Sequence, residues 1–230
     1  MADWISFWDS DHPIYVNARH RDVHNGIVAA AIRSYVPHKD AIVLDYGCGE
    51  ALHADRVAQA TGRLILSDAG PNLLAKLDER FAGNEKIEVR SPEEVALLPD
   101  GSIDLVVLNS VAQYLTPQDT DALFTRFRKL LKPNGLLIVG DIVQPDVAMP
   151  AEVSALLRFA AQNGFLIAAL IGLVRTAFSG YVKLRSQLSL TRYRESEMLA
   201  KLTLAGFKAA RAPKNLGHDT LRMTFLARPA

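Results

Sequence analysis

Two acids and two glycines carry the first chemical signal in this chain. Asp45 closes the apolar run Ile42-Val43-Leu44, and Gly47 and Gly49 follow it; Asp68 closes a second apolar run, Leu64-Ile65-Leu66, nineteen residues beyond Gly49. Glycines after a buried strand let a ligand approach the backbone where a side chain would block it. A carboxylate at the end of the next strand offers two oxygens at the right separation to accept from both hydroxyls of a ribose. Asp68 is therefore a nucleotide-binding candidate, and it can also cap the helix after it. The single cysteine, Cys48, lies between the two glycines. It excludes an intramolecular disulfide, cannot hold zinc alone, and as a small residue in a tight loop needs no nucleophilic role. No His/Cys cluster has metal-ligand spacing.

These residues need elements to hold them. Ile42 to Leu44 reads as a strand buried on both faces, Ala51 to Ala60 as a helix, and Arg63 to Leu66 as a second strand. A helix over Pro71 to Phe81, a short strand over Lys86 to Arg90 and a Ser91-capped turn with Pro92 at its first position follow. Ile103 to Asn109 is a continuous apolar strand after a proline-glycine turn. Thr116-Pro117-Gln118-Asp119 starts a helix that runs to about Leu131, Lys132-Pro133-Asn134-Gly135 breaks it, and Leu136 to Val143 forms a fifth strand. A dinucleotide fingerprint would place a third glycine at position 52, where this chain has Leu52.

Val43-Leu44-Asp45-Tyr46-Gly47-Cys48-Gly49 resembles the first motif of the class I S-adenosylmethionine-dependent methyltransferases. Leu98 to Asn109 and Leu131-Lys132-Pro133-Asn134-Gly135-Leu136-Leu137 resemble two later segments of the same family, so the likeness covers roughly residues 40 to 145. It implies an α/β, Rossmann-like, doubly wound and mostly parallel seven-stranded sheet with an antiparallel last strand, plus N-terminal and post-strand-5 helical additions forming a cap. The closing strands would be Phe207 to Arg211 and Leu221 to Arg228, after a helix that starts within Thr191 to Met198, with Ser196 or Thr191 as its cap, and ends at Gly206. The implied division is 1–38 as a helical lid segment and 39–230 as the cofactor-binding domain, with the cap at about 150–190.

The resemblance also implies roles. Asp45, Gly47, Cys48 and Gly49 shape the methionine end of S-adenosyl-L-methionine, Asp68 with Ala69 holds the ribose, and the turn from Ser91 to Glu94 meets adenine, with Glu93 chosen among Ser91, Glu93 and Glu94. Asn109 and Ser110 line the methyl side, and Tyr114 stands at the rim where an acceptor enters. A helix before the first motif often covers the cofactor in this family. Here Asn17 caps a helix from Ala18 to about Tyr35, which makes Arg19 the candidate for the methionine carboxylate and Tyr15 a lid residue. The aromatic segment Trp4 to Tyr15 is expected to dock on the domain. Methyl transfer to a hydroxyl or protonated amine needs a base that titrates near neutrality. His218, then His20 and His24, are the candidates by position. Asp104, at the opposite end of its strand, is expected to be structural.

After Pro150 the chain changes character. Residues 150 to 230 hold 12 Lys+Arg against 4 Asp+Glu, whereas residues 1 to 149 hold 14 against 21. The span from Ala151 to about Arg185 reads as helical and contains the apolar run Phe165 to Val174, too short for a bilayer span of about 20 residues. Flanked by Arg158 and Arg175, then Lys183 and Arg185, the run is either a buried cap over an apolar acceptor pocket or a segment that rests on anionic lipid. Base-stacking aromatics do not interleave the basic residues, so a small, apolar or lipid-like acceptor is expected rather than nucleic acid. The N-terminus lacks the basic and apolar regions of a signal peptide, and a cytoplasmic location is the expectation. Oligomeric state is not legible. Two rival readings share the glycine turn: a nicotinamide-dependent oxidoreductase, and a noncatalytic protein that keeps the cofactor fold and attaches to membranes.

Overall fold

The computed structural model describes residues 4–9, 15–178 and 190–230. Seven strands form one sheet: β1 (Ile42–Tyr46), β2 (Arg63–Ser67), β3 (Ile87–Arg90), β4 (Ile103–Asn109), β5 (Leu131–Ile142), β6 (Phe207–Arg211) and β7 (Met223–Pro229). Their order is β3-β2-β1-β4-β5-β7-β6. The first five run parallel, while β7 is antiparallel to both β5 and β6. This is the doubly wound sheet with an antiparallel closing strand that the sequence leads one to expect.

Alternate side chains of the central strands bury on opposite faces, which is why these strands are continuously apolar. Val43, Leu64, Leu66, Leu105, Val107 and Ile138 pack on one side with residues of α2 (Ala18–Tyr35), α3 (Ala54–Ala58) and α4 (Pro71–Phe81). Leu44, Ile65, Val106, Leu108, Leu137 and Val139 face the other side, against α5 (Pro92–Ala96), α6 (Pro117–Leu130) and a late helix over Glu195–Leu204. Side-chain caps start the helices where the sequence places them. Asn17 accepts from the His20 amide at 2.8 Å, Thr116 from the Asp119 amide at 3.1 Å, and Ser91 forms a reciprocal box with Glu94.

Three local expectations are corrected. The helix after the glycine loop is only Ala54–Ala58, because Ala51 takes a left-handed φ of 44° that a helix cannot contain. Lys132 to Gly135 does not separate α6 from β5; the strand begins at Leu131, opposite Ile103, and the next pair is Leu105 with Leu136, so the Pro-Asn-Gly residues bulge out of the ladder. The span from Ala151, expected to be helical, holds two helices, α7 (Met149–Gln162) and α8 (Leu166–Phe178), parted at Gly164 with a φ of 74°. The rest of that span, with Lys183 and Arg185, lies outside the described residues. The late helix, here α9, starts at Glu195 within the expected stretch, but its N-cap is Arg194 and not Ser196 or Thr191, and the Glu197 carboxylate reaches back to the Arg194 amide at 2.7 Å.

Two additions frame the carboxyl edge of the sheet. The segment expected to dock forms a short helix, α1 (Trp4–Trp8). Trp4 stacks on Tyr114 with ring centroids 5.9 Å apart, and Trp8 meets the same ring edge-on at 5.5 Å. Asp9 then accepts from the Leu73 amide at 2.9 Å and from Asn72 at 2.8 Å, capping α4. The α7–α8 hairpin packs Phe159, Ala160, Phe165 and Ala169 against Val16, Val23 and Ile27 of the N-terminal segment and α2.

Candidate functional site

The crevice opens where strand order reverses between β1 and β4, beyond their carboxyl ends, the place where open α/β sheets bind ligands. The Gly47 and Cys48 amides both donate to the Ser67 carbonyl, at 2.7 and 3.0 Å, which folds the glycine loop over β2. Gly47 has a φ of 75°, and a Cβ there would lie 2.2 Å from Val111 Cγ2, so only glycine fits. Above Gly49 nothing lies within 4 Å of a built Cβ, which leaves its face to a ligand.

Asp68 joins the two sides of this floor. Its Oδ2 accepts from the Gly49 amide at 3.0 Å and its Oδ1 from the Gly70 amide at 3.1 Å, leaving further lone pairs on each oxygen. Burial holds its carboxyl above the ordinary carboxylate range despite these bonds, and the Asp9 charge adds to the effect. Asp45 is raised to about 7, by burial first and then by the charge of Asp68. Burial pushes the Cys48 thiol well up, which agrees with a packing role and not with a thiolate nucleophile. The Tyr46 hydroxyl is held up to about 12 by burial and by the charges of Glu93 and Asp68, so Tyr46 stands between the ribose and adenine candidates. Glu93 itself is exposed on α5, its carboxyl lowered by a hydrogen bond with Ser91. Two acids held toward neutrality beside an open glycine face suit a ligand that carries positive charge and hydroxyls.

The other wall is built from the ends of β4 and β5. Ser110 and Asp141 both occupy left-handed backbone, with φ of 60° and 61°, and the Ser110 hydroxyl donates to Asp141 Oδ2 at 2.9 Å. Strain of this kind in non-glycine residues gathers at functional sites. Asn215 donates to the second Asp141 oxygen at 3.0 Å and accepts from the Asp141 amide at 3.1 Å. Asn109 Oδ1 is buried with no hydrogen-bond partner among the described residues, and a Cβ on Gly140 would lie 2.5 Å from it.

Beyond Asp141 three histidines meet. His24 Nδ1 and His218 Nδ1 are 3.0 Å apart, the His218 ring stacks on Phe159 at 3.7 Å, and the His20 ring stacks on Phe165 at 4.9 Å. Tyr15 covers them, edge-on to His20 at 5.3 Å and tilted over His24 at 5.7 Å. Burial lowers the pKa of all three, with His20 and His218 pushed down to about 4, so all are neutral at pH 7. In a neutral pair that shares an Nδ1···Nδ1 contact, one ring must donate and the other accept. The donor ring then keeps a free lone pair on Nε2. His20 is occupied differently: its Nδ1 faces the Val16 amide at 3.4 Å and its ring is buried. Among the described residues no group of His, Cys, Asp and Glu has an arrangement that could hold a metal ion.

The sequence candidates therefore separate. Asp45, Gly47, Cys48, Gly49, Asp68 and Ala69 share the crevice floor, with Asn109 and Ser110 at its far wall. His218 and His20 converge with Tyr15 as an aromatic cluster. Arg19 is placed elsewhere, exposed and donating to the Asn163 carbonyl at the α7–α8 turn, while Arg21 pairs with Glu50 beside the glycine loop. Tyr114 carries the two tryptophans of α1. Asp9, Tyr46, Glu50, Asp141 and the pairing of His24 with His218 were not singled out by sequence. Only Asp141 left a signal, as an acid at the end of the fifth apolar strand.

Residues 43–135 match the methyltransferase domain family. An uncharacterized methyltransferase of Mycobacterium tuberculosis (strain H37Rv) is 30% identical over 118 residues, which cover 51% of this chain and 59% of the relative. A ubiquinone biosynthesis O-methyltransferase of Xanthomonas euvesicatoria is 26% identical over 152 residues, 64% of this chain and 60% of that protein. The chain thus spans about three-fifths of the length of these relatives. In fold it is similar to magnesium protoporphyrin IX methyltransferase from Synechocystis PCC 6803 solved with bound SAH, with a TM-score of 0.59 and 16% identity over 98% of this chain and 92% of that one. It is also similar to the Burkholderia thailandensis 1,6-didemethyltoxoflavin-N1-methyltransferase, with a TM-score of 0.59 and 19% identity over 100% and 86% of the two chains.

Proposed function

We propose that this chain, whose core is a class I S-adenosylmethionine-dependent methyltransferase domain, transfers a methyl group to a hydroxyl or amine of a small molecule with an apolar or aromatic body. The observation that carries the acceptor side is the His24–His218 pair, held neutral beside Asp141 and walled by Phe159, Phe165 and Tyr15. S-adenosylmethionine, when bound, supplies an activated methyl on a cationic sulfonium, so the protein needs only to align the acceptor, exclude water and take its proton.

In this reading the Gly49 face and Asp45 receive the methionine end and its positive charge. Asp68 accepts from the ribose hydroxyls, and the Tyr46–Glu93 side receives adenine. The acceptor lies between Asn109–Ser110 and the histidine pair. With S-adenosylmethionine bound, the acceptor oxygen or nitrogen would face the methyl group, and the free Nε2 of the pair would take the acceptor's proton. A depressed histidine pKa keeps the base unprotonated at neutral pH at the cost of weaker basicity. The apolar walls support an acceptor such as a quinol or other phenol, in keeping with O-methyl transfer by the Xanthomonas relative.

Calorimetric titration with S-adenosylmethionine, S-adenosylhomocysteine and NAD tests the cofactor reading. Saturable binding of the first two is expected, and binding of NAD without them would overturn it. A panel of phenols, catechols and amines with radiolabelled methyl donor then identifies the acceptor class.

A further inference from the structure

The α7–α8 hairpin has two apolar faces, and the crevice accounts for only one. Its inner face supplies Phe159 and Phe165 to the histidine cluster and buries Ala169 beside them. Its outer face exposes Leu166, Ile167, Leu170, Ile171 and Val174, with Ile167 75% and Val174 59% accessible. These fall at i, i+1, i+4, i+5 and i+8 along α8, a single stripe. On α7, Met149 is 59% exposed at the head of an apolar groove of about 740 Å³ lined by Val153, Leu157 and Arg158. Exposed apolar residues scattered singly mean little, but a continuous patch marks an interaction surface.

We infer that the outer face of α8, with the α7 groove, docks on an anionic lipid surface. Three features favour lipid. From Leu166 to Val174 the helix has no side chain that can form a hydrogen bond, whereas protein interfaces carry about one hydrogen bond per 100–200 Å². The hairpin itself carries a basic excess: Arg158, which lines the groove, and Arg175, in the last turn of α8, against Glu152. A second copy would bring like charges together on this face, while an anionic bilayer complements them. Length fixes the pose. Thirteen residues make a helix of about 20 Å, short of the roughly 30 Å hydrocarbon core, so α8 lies in the interface plane. In that pose the same hairpin touches the bilayer with one face and roofs the histidine pocket with the other, giving an acceptor dissolved in the membrane a short path to the base.

This goes beyond the methyltransferase reading and is tested without an acceptor. The purified chain is mixed with vesicles of phosphatidylcholine alone or of phosphatidylcholine with 30% phosphatidylglycerol, and bound protein is separated by flotation. Association with the anionic vesicles, weakened by about tenfold or more in 0.5 M NaCl, is expected. The double variant Ile171→Glu/Val174→Glu, on exposed positions, should abolish flotation while keeping the wild-type melting temperature and S-adenosylmethionine affinity. No flotation of the wild type at low salt overturns the inference, as does equal flotation of the variant. A wild-type dimer in sedimentation equilibrium that the variant dissociates assigns the face to a second copy and overturns it as well. Failure to bind S-adenosylmethionine would overturn the proposed function and leave this inference standing.

Discussion

His24 and His218, 194 residues apart in sequence, approach nitrogen to nitrogen at 3.0 Å, and this contact sets the acid–base state of the acceptor side. The ring that donates through Nδ1 can take one proton at its free Nε2 and keep the contact, whereas a proton on the accepting Nδ1 would break it. The His218→Phe variant keeps the stack on Phe159 and removes the base. Methyl transfer should fall by about 10²- to 10⁴-fold, with S-adenosylmethionine affinity within twofold of wild type, read by single-turnover kinetics and calorimetry. A rate unchanged by both His218→Phe and His24→Phe would show that the pair handles no proton.

The pH profile carries its own sign. His218 is pushed down to about 4, so the base stays neutral far below the ordinary histidine range. The acidic limb of the methyl-transfer rate should lie near pH 4 to 5 rather than near 6.5. The same depression makes stability fall on acidification, starting near the unfolded value of 6.5 and continuing to about 4, because the unfolded chain binds protons that the native chain refuses. Thermal melts of wild type and His218→Phe across this window should show the flatter dependence in the variant.

Asp45 titrates with the opposite sense. Its carboxyl is raised to about 7, so it favours the native state at low pH and loses that contribution as pH rises through 7. A bound cation would draw it back to the ionised form. S-adenosylmethionine binding below pH 7 should therefore release a proton and tighten as pH rises toward 7, seen as buffer-dependent calorimetric enthalpy. Asp45→Asn should remove that dependence.

For the ribose, Asp68→Ala should weaken S-adenosylmethionine binding by about 1.5 to 3 kcal/mol through loss of charge-assisted bonds. Glu93→Ala, an exposed residue, should cost less than about 1 kcal/mol. Equal effects from the two would overturn the assignment of ribose to Asp68.

At the crevice edge, Asp9→Ala removes the acceptor for the Leu73 amide and for Asn72. A lost cap costs about 0.5 to 2 kcal/mol, read by urea unfolding. With its anchor gone, α1 should loosen from Tyr114, and tryptophan emission should shift to the red.

Most of the sheet was legible because its strands are continuous aliphatic runs that end on polar residues, a pattern set by burial on both faces. The glycine loop and Asp68 were legible for the same reason, since backbone geometry confines them to a few residue types. The histidine cluster was legible only as a set of candidates. Its contacts join residues 15 to 24 with residues 159 to 218, and no local period reports a meeting across that distance. Arg19 and Arg21 illustrate the limit. Both lie in the first turn or so of α2, yet about 200° of helical rotation sends one to the Asn163 carbonyl and the other to Glu50. The break between α7 and α8 falls at Asn163-Gly164, a turn-forming pair inside a span whose composition reads only as helical.

The bulge at the start of β5 has a mechanical meaning. By looping Pro133 to Gly135 out of the ladder, the chain brings the Lys132 ammonium to Asp104, at 2.9 and 2.8 Å from its two oxygens, while the same carboxylate accepts from the Ile42 amide at 2.8 Å. One side chain thus rivets the amino ends of three neighbouring strands. The opposite ends of those strands carry Asp45, Asn109 and Asp141. Substitutions that retune the acceptor end can accumulate there while the anchorage of the sheet stays at the far side.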